Sequence, residues 1–236
     1  MRASLLLLFY NLFIQLILAP IKFVLRRYHI RQWENSIQLK KHLNTLDAIS
    51  QPINGFELSR QAREHTDAYE YVYGEINSKS LIALLSLTHP DSSTVFYDLG
   101  SGTGKAVLAC AMVFDVKKSC GVELFPLLDA AAKQQLAQLE CIPEYQENAQ
   151  KIVFMCDNFL TANLADATVI FVAATGLFGD TWEQLNQRLE QLSHRPIIIT
   201  TSKKLLSPQF KVLHQTRVQM SWGVVNAYIQ HTLIDS

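Results

Sequence analysis

Three acidic residues and a run of glycines carry the chemistry this chain can be read for. Asp98 stands two residues before a turn in which Gly100, Gly102 and Gly104 alternate with Ser101 and Thr103. Glycine lets the backbone turn tightly and come within van der Waals reach of a ligand, where a Cβ would collide. Spacing excludes two phosphate-binding chemistries. A P-loop needs G-x-x-x-x-G-K-S/T, but Leu99 occupies the first glycine's place and Ala106 lacks the hydroxyl that would hold magnesium. A dinucleotide fingerprint would put its third glycine at Lys105 or Val107. What remains is Asp98-x-Gly100-x-Gly102-x-Gly104. An acid beside such approachable backbone suits the cationic, zwitterionic end of S-adenosyl-L-methionine better than a pyrophosphate.

A glycine triplet alone is also an ordinary βα turn. Two further acids strengthen the nucleoside reading. Glu123 closes the apolar run Ser119-Cys-Gly-Val122, where a carboxylate at a strand tip can accept both ribose hydroxyls. Asp157 closes Ile152-Val-Phe-Met-Cys156 and is followed by Asn158 and Phe159. An acid there can accept from an exocyclic amine while the aromatic ring packs on a base.

The elements that must position these groups follow from periodicity. Thr94–Leu99 reads as a buried strand and Ala106–Met112 as the helix after the turn, its amide-rich N-terminus facing back into it. Further strands are expected at 117–123, 151–157, 167–172 and 196–200. A long hairpin is expected from Phe210–Met220 and Val224–Leu233, joined at Ser221-Trp-Gly223. Asp180 is expected to cap a helix that buries Trp182, Leu185, Leu189 and Leu192. A helix is expected over 78–87 and another over 31–50, broken by Gln51-Pro-Ile-Asn-Gly55. Strands alternating with helices and closed by a hairpin describe an α/β fold, an open sheet with helices on both faces.

Length bounds this to one sizeable domain with an appendage: 236 residues, 49% hydrophobic and 18% charged. Residues 1–30 form an apolar N-terminal helix, 31–75 a lead-in and 76–236 the ligand-binding domain. Formal net charge is zero, which argues against a nucleic-acid partner. Cys110, Cys120, Cys141 and Cys156 form no C-x-x-C pair, so reduced and mostly buried thiols are expected, with no metal site. Residues 3–21 are nearly all apolar and are followed by Lys22, Arg26 and Arg27. That length fits a transmembrane helix, with the basic cluster keeping the domain in the cytoplasm. Ser4, Asn11, Gln15, Lys22 and Arg26 also draw one polar stripe, so a helix lying in the interface or packed on the domain are further readings. Membrane association through residues 3–27 is the expectation.

The run Tyr73-Gly-Glu75, then Phe96-Tyr-Asp-Leu-Gly-Ser-Gly-Thr-Gly104, Gly121-Val-Glu123, Asp157-Asn-Phe159 and Val169-Ile-Phe-Val172 resembles the class I S-adenosyl-L-methionine-dependent methyltransferases. It is most similar to the catalytic domain of the disruptor-of-telomeric-silencing histone lysine methyltransferases, over about residues 68–234. The resemblance implies a Rossmann-like, mostly parallel seven-stranded sheet with a C-terminal antiparallel hairpin, plus N-terminal helices. It implies Tyr73, Gly74 and Glu75 in a loop over the methionine part of the cofactor. Asp98, Gly100, Gly102 and Gly104 would cradle that part. Glu123 would bind the ribose, and Asp157, Asn158 and Phe159 the adenine. Trp222 and Tyr228 resemble the aromatic walls of a lysine channel, so Tyr73, Glu75, Trp222 and Tyr228 are the catalytic candidates and a protein lysine the expected acceptor.

The family carries two asparagines and an aromatic after its fourth strand, where this chain has Ala173, Ala174 and Thr175. In its apolar N-terminal segment and apolar post-strand loop, the chain is also similar to membrane-anchored lysine methyltransferases of the ATP-synthase c subunit. Two other readings stay open: transfer to a small-molecule or lipid-like acceptor, and a non-catalytic module that binds S-adenosyl-L-methionine.

Overall fold

Strand burial sets the architecture. A computed structural model describes residues 2–63 and 74–233, with residues 2–18 as backbone alone. The chain divides into two compact units, residues 1–41 and 42–236.

The first unit is dominated by one helix, α1 (Arg2–Ser36), with Pro20 inside it. Among the described residues no helix is long and apolar enough to cross a membrane. Where its side chains are described, α1 carries Lys22, Arg26, Arg27, Arg31 and Glu34, charges that hydrocarbon rejects. The finding corrects both the transmembrane helix and the membrane-associated, cytoplasm-facing placement read from residues 3–27. The side chains of Ser4, Asn11 and Gln15, and the apolar ones among them, lie outside the described residues.

The helix expected over 31–50 is two helices. The chain turns at Gln38, whose φ of 48° is left-handed, and α2 (Leu39–Ser50) follows. α3 (Gly55–Ala62) starts where the Asn54 side chain accepts from the Glu57 amide at 3.2 Å. Asn77 does the same for α4 (Ser78–Ser86), accepting from Ser80 at 3.2 Å.

The second unit is built on a seven-stranded sheet. Its strands are β1 (Val95–Leu99), β2 (Lys118–Glu123), β3 (Ile152–Cys156), β4 (Val169–Val172), β5 (Ile197–Thr201), β6 (Phe210–Met220) and β7 (Gly223–Thr232). Their order is β3-β2-β1-β4-β5-β7-β6. The first five are parallel, and β7 runs antiparallel to both β5 and β6. Connections leave β1 one way toward β2 and β3, and the later strands build the other way from β4. The carboxyl ends of β1 and β4 therefore form a topological switch point, where such sheets open a crevice.

The sheet is covered by α5 (Lys105–Val113), α6 (Pro126–Glu140), a short α7 (Gln146–Ala149) and α8 (Gly179–Glu190). Alternation in β1 sends Val95, Tyr97 and Leu99 into a core shared with Trp182, Leu185 and Leu189 of α8. Phe96 and Asp98 face the other side. α6 starts on a proline at its first position, which suits a helix start because no amide is wasted there. Asp180 lies in the first turn of α8 but does not cap it; Phe178 holds the cap position and offers no side-chain acceptor. Of the cysteines, Cys110 and Cys120 are buried, whereas Cys141 and Cys156 are exposed. Cys141 follows the last turn of α6 and Cys156 sits on an edge strand, positions that face solvent.

Candidate functional site

The glycine turn is held from below by β2. The amides of Gly100 and Ser101 both donate to the Val122 carbonyl, at 2.9 and 3.1 Å. Gly100, Gly102 and Gly104 all have positive φ, at 83°, 54° and 83°. They differ in what a side chain would meet. A Cβ on Gly100 would find nothing within 4 Å, whereas one on Gly104 would lie 2.5 Å from the Phe154 ring. Gly104 thus lets α5 start against β3, and Gly100 keeps a hollow open. A buried chain braces the turn from outside: Ser50 donates to Gln135 at 2.7 Å, and Gln135 donates to the Thr103 carbonyl at 2.6 Å.

Asp98 and Glu123 converge at this turn. Asp98 is 4% exposed, and its Oδ1 has no hydrogen-bond partner. Burial, and then the neighbouring Glu123 carboxylate, push its pKa up to about 8. Glu123 is nearly as buried but better satisfied. It accepts from the amides of Gly102 at 2.8 Å and Phe125 at 2.9 Å. Burial raises its pKa, and those amides oppose the rise. Each Glu123 oxygen keeps a lone pair for a further donor.

Asp157 follows β3 as expected, and its amide donates to the Glu123 carbonyl at 2.9 Å. Its exposed side chain accepts from the Asn158 amide at 2.7 Å and is not part of the pocket lining. Asn158 and Phe159 do line the pocket. Arg188 of α8 holds their loop by donating to the carbonyls of Leu160 and Ala162.

The pocket encloses about 180 Å³ over the carboxyl ends of β1 and β4. Asp98, the glycine turn and Glu123 form one wall. Phe171, Ala173, Gly176 and Leu177 form another, and Gly74, Glu75 and Ile76 close a third side. That third side is fastened to the hairpin tip. The Asn77 amide donates to Gln219 and the Ser221 amide to Glu75, both at 2.8 Å. The Trp222 ring packs so closely on Gly74 that a Cβ there would sit 1.9 Å from an indole carbon. Glu75 meets Lys105 at 2.6 Å.

The geometry therefore gathers Gly74, Glu75, Asp98, Gly100, Gly102, Glu123, Asn158 and Phe159 around one hollow. Tyr73 lies outside the described residues. Trp222 stands behind Gly74 rather than in the lining, and Tyr228 pairs within the hairpin sheet without reaching it. Sequence reasoning did not single out Phe125, Gly176 or Leu177, nor the role of Lys105. Only Phe125 had a usable signal, since a residue two past an acid at a strand tip can return its amide to that acid.

These groups fit S-adenosyl-L-methionine. A buried carboxylate with an unpartnered oxygen awaits a cation, and the glycine turn leaves room beside it. The carboxylate of Glu123 has acceptor capacity to spare, and Phe125, Phe159 and Leu124 offer apolar surface for a base.

Comparison with known proteins agrees with the geometry. The sequence model of the family described as histone methylation protein DOT1 matches residues 57–227. A histone-lysine N-methyltransferase, H3 lysine-79 specific, from Kluyveromyces lactis is 30% identical over 82 residues, which is 35% of this chain and 14% of that protein. Its namesake from Caenorhabditis elegans is 28% identical over 138 residues, 56% of this chain and 15% of that protein. The chain thus matches only about a seventh of the length of these relatives. An RNA methyltransferase from Salinibacter ruber, solved with S-adenosyl-L-homocysteine, superposes with a TM-score of 0.54 at 21% identity, covering 68% of this chain and 94% of that one. The magnesium protoporphyrin IX methyltransferase of Synechocystis PCC 6803, solved with bound S-adenosyl-L-methionine, gives 0.51 at 10% identity, covering 77% and 98%. At such identities the structures establish the Rossmann-like methyltransferase fold. Fold, pocket and family match converge on one statement: the chain belongs to the histone methylation protein DOT1 family of S-adenosyl-L-methionine-dependent methyltransferases.

Proposed function

We propose that the protein transfers a methyl group from S-adenosyl-L-methionine to a lysine side chain of a protein, and that residues 76–236 with Gly74 and Glu75 do the work. The observation that carries this is the unpartnered oxygen of buried Asp98 at the mouth of the glycine turn. Burying a carboxylate without a partner is costly, so such a group is kept where a ligand completes it.

When bound, S-adenosyl-L-methionine supplies a methyl group already activated on a sulfonium. The chain's own task is to hold, orient and exclude water. Asp98 would take the cationic amino end, with Gly100 and Gly102 giving backbone access. Glu123 would accept from the ribose hydroxyls through the lone pairs its amide partners leave. Asn158 and Phe159 would flank the base, and Asp157 would stand at the edge of that subsite. Glu75, braced by Lys105 and by the hairpin tip, would close over the ligand, together with Tyr73.

A lysine amine attacks only when neutral. The apolar wall of Ala173, Gly176, Leu177 and Phe171 favours the neutral form by desolvation. The relatives named as histone-lysine methyltransferases support a lysine acceptor in a protein. Zero net charge gives this chain no long-range attraction to a nucleosome, so the acceptor protein is left open.

Calorimetry with S-adenosyl-L-homocysteine and label transfer from methyl-labelled S-adenosyl-L-methionine in lysate test the proposal together. Binding with label on lysine in the protein fraction is expected. Label in small molecules would refute the protein acceptor, and tight binding without turnover would refute catalysis.

A further inference from the structure

The loop after β4, residues 173–178, supplies the apolar wall of the pocket yet has little structure of its own. It makes a short 3₁₀ turn at Ala174–Gly176, in which the Leu177 amide reaches the Ala174 carbonyl at a long 3.3 Å. What fixes it comes from the turn after β5. The Thr175 and Ser202 hydroxyls lie 2.5 Å apart. The Lys203 ammonium donates to the Leu177 carbonyl. Its Nζ also sits 3.6 Å above the centre of the Phe178 ring and 5.8 Å from that of Trp182. One ammonium therefore grips two consecutive residues of the loop and the helix that follows.

The gripping turn is itself rigidly set. The Ser202 amide donates to Asn226 of β7 at 2.7 Å, and Ser202 takes a left-handed φ of 67°. The Thr200 hydroxyl donates to the Lys203 carbonyl at 2.6 Å, and the Lys203 amide to Thr201 at 2.8 Å. Two strand ends thereby hold the lysine's backbone while its side chain crosses to the neighbouring loop. A cation over an aromatic face gains most when desolvated, and burial does lower the pKa of Lys203.

We propose that Lys203 is the positioning residue of the acceptor wall: with Ser202 it fixes residues 175–178 in the shape that admits the methyl acceptor, while the cofactor wall stands independently of it. The inference rests on the proposed function only for what the wall admits; the fixing of the loop can be measured without turnover.

The test compares the full chain with Lys203→Met and Lys203→Arg by hydrogen–deuterium exchange, by calorimetry with S-adenosyl-L-homocysteine, and by label transfer from saturating methyl-labelled S-adenosyl-L-methionine into varied amounts of lysate protein. Lys203→Met is expected to speed exchange at residues 175–178 at least tenfold and to leave the glycine turn, residues 100–104, at the original rate. S-adenosyl-L-homocysteine affinity should stay within threefold, while the lysate concentration for half-maximal labelling rises at least fivefold. Lys203→Arg keeps a flat cation that can stack on Phe178 and reach the carbonyl, so it should restore most of both. Unchanged exchange at 175–178, or equal acceleration at 100–104, would overturn the proposal. If Lys203→Met fails to fold by circular dichroism, Ser202→Ala replaces it and must show the same local acceleration. Failure of the unaltered chain to bind S-adenosyl-L-homocysteine would refute the proposed function and still leave the exchange comparison decisive for Lys203.

Discussion

The two walls of the pocket are made by different means. On the β1–β2 side the ligand-facing surface is mainly backbone, shaped by glycines at positive φ and completed by two acids at strand ends. All five residues of β1 are buried, so its tip can hardly shift. On the β4–β5 side the surface is a loop held by side chains that come from 25 or more residues away in sequence, as Thr175 and Ser202 do. The outer strand of the hairpin beyond it, β6, is largely exposed and buries residues only near its ends. A cofactor whose structure never varies can be met by a rigid backbone cradle. An acceptor is met by side chains and loops, which can change without disturbing the sheet. The first wall should therefore fail in binding when altered, and the second in acceptor use.

The largest effect should come from Asp98→Asn. Losing a charge-assisted contact to the ligand's cation should weaken S-adenosyl-L-homocysteine binding by about a hundredfold or more, roughly 3 kcal/mol. The apo protein should not melt earlier. Asp98 is held above its ordinary pKa, so the folded state binds more protons than the unfolded state between the ordinary carboxylate value and about 8. Its contribution to stability is full below that range and is lost as pH rises through about 8. Because pH 6 already lies inside that window, the variant should melt somewhat higher than the original at pH 6 and by a wider margin at pH 9. Calorimetry and thermal melts at both pH values check this, and an early-melting variant would make Asp98 structural instead.

The same carboxyl sets the pH dependence of cofactor binding. A cation needs the ionised form, so affinity should rise by up to about tenfold per unit until pH approaches 8 and then level off, with proton release on binding. Asp98→Asn should flatten that profile. Calorimetry in buffers of different ionisation enthalpy reads both quantities. A flat profile in the unaltered protein would place the cation elsewhere.

The asymmetry between the walls also explains how far the sequence could be read. Gly100, Gly102 and Gly104 are local, and their spacing with Asp98 is itself the geometry of the turn. Glu123 was legible because a strand ending in an acid can be recognised from its own residues. An open sheet closed by an antiparallel pair followed from strands alternating with helices, whereas the order of the strands did not. The break at Gln38 was missed because nothing in its neighbours' apolar spacing forecasts a left-handed residue. The membrane-spanning helix was inferred from the apolar run, with Lys22, Arg26 and Arg27 taken as its flank, whereas they belong to the same continuous helix. Trp222 and Tyr228 were expected from the resemblance as walls of a lysine channel; where an aromatic on the hairpin points is not read from sequence spacing, and Trp222 packs on Gly74. Lys203 had no signal at all, since no spacing connects the ends of β4 and β5.

Within the cofactor wall, two glycines should separate fold from function. Gly104→Ala puts a Cβ into the Phe154 ring and against Ala132 at a φ of 83°, so a loss of about 1–3 kcal/mol in stability is expected, read by thermal melts. Gly100→Ala meets no atom, and its cost to the fold is only the φ penalty, about 1 kcal/mol. Its methyl group would instead take room in the hollow and weaken S-adenosyl-L-homocysteine about tenfold. Equal losses of stability in both variants would remove the distinction.

The smallest effect concerns the contact that links the two walls' neighbours, Glu75 with Lys105. Their side chains are 23% and 31% exposed, so water and salt screen the pair and its net worth is below about 1 kcal/mol. Lys105→Met should therefore leave the melting temperature nearly unchanged. Its effect should appear only where Glu75 must be held over the ligand, as a threefold to fivefold loss of S-adenosyl-L-homocysteine affinity at low ionic strength. Raising salt should weaken the original protein toward the variant, because screening removes from one what mutation removes from the other. A loss that persists unchanged in high salt would mean that the Lys105 stem packs against the ligand instead of acting through Glu75.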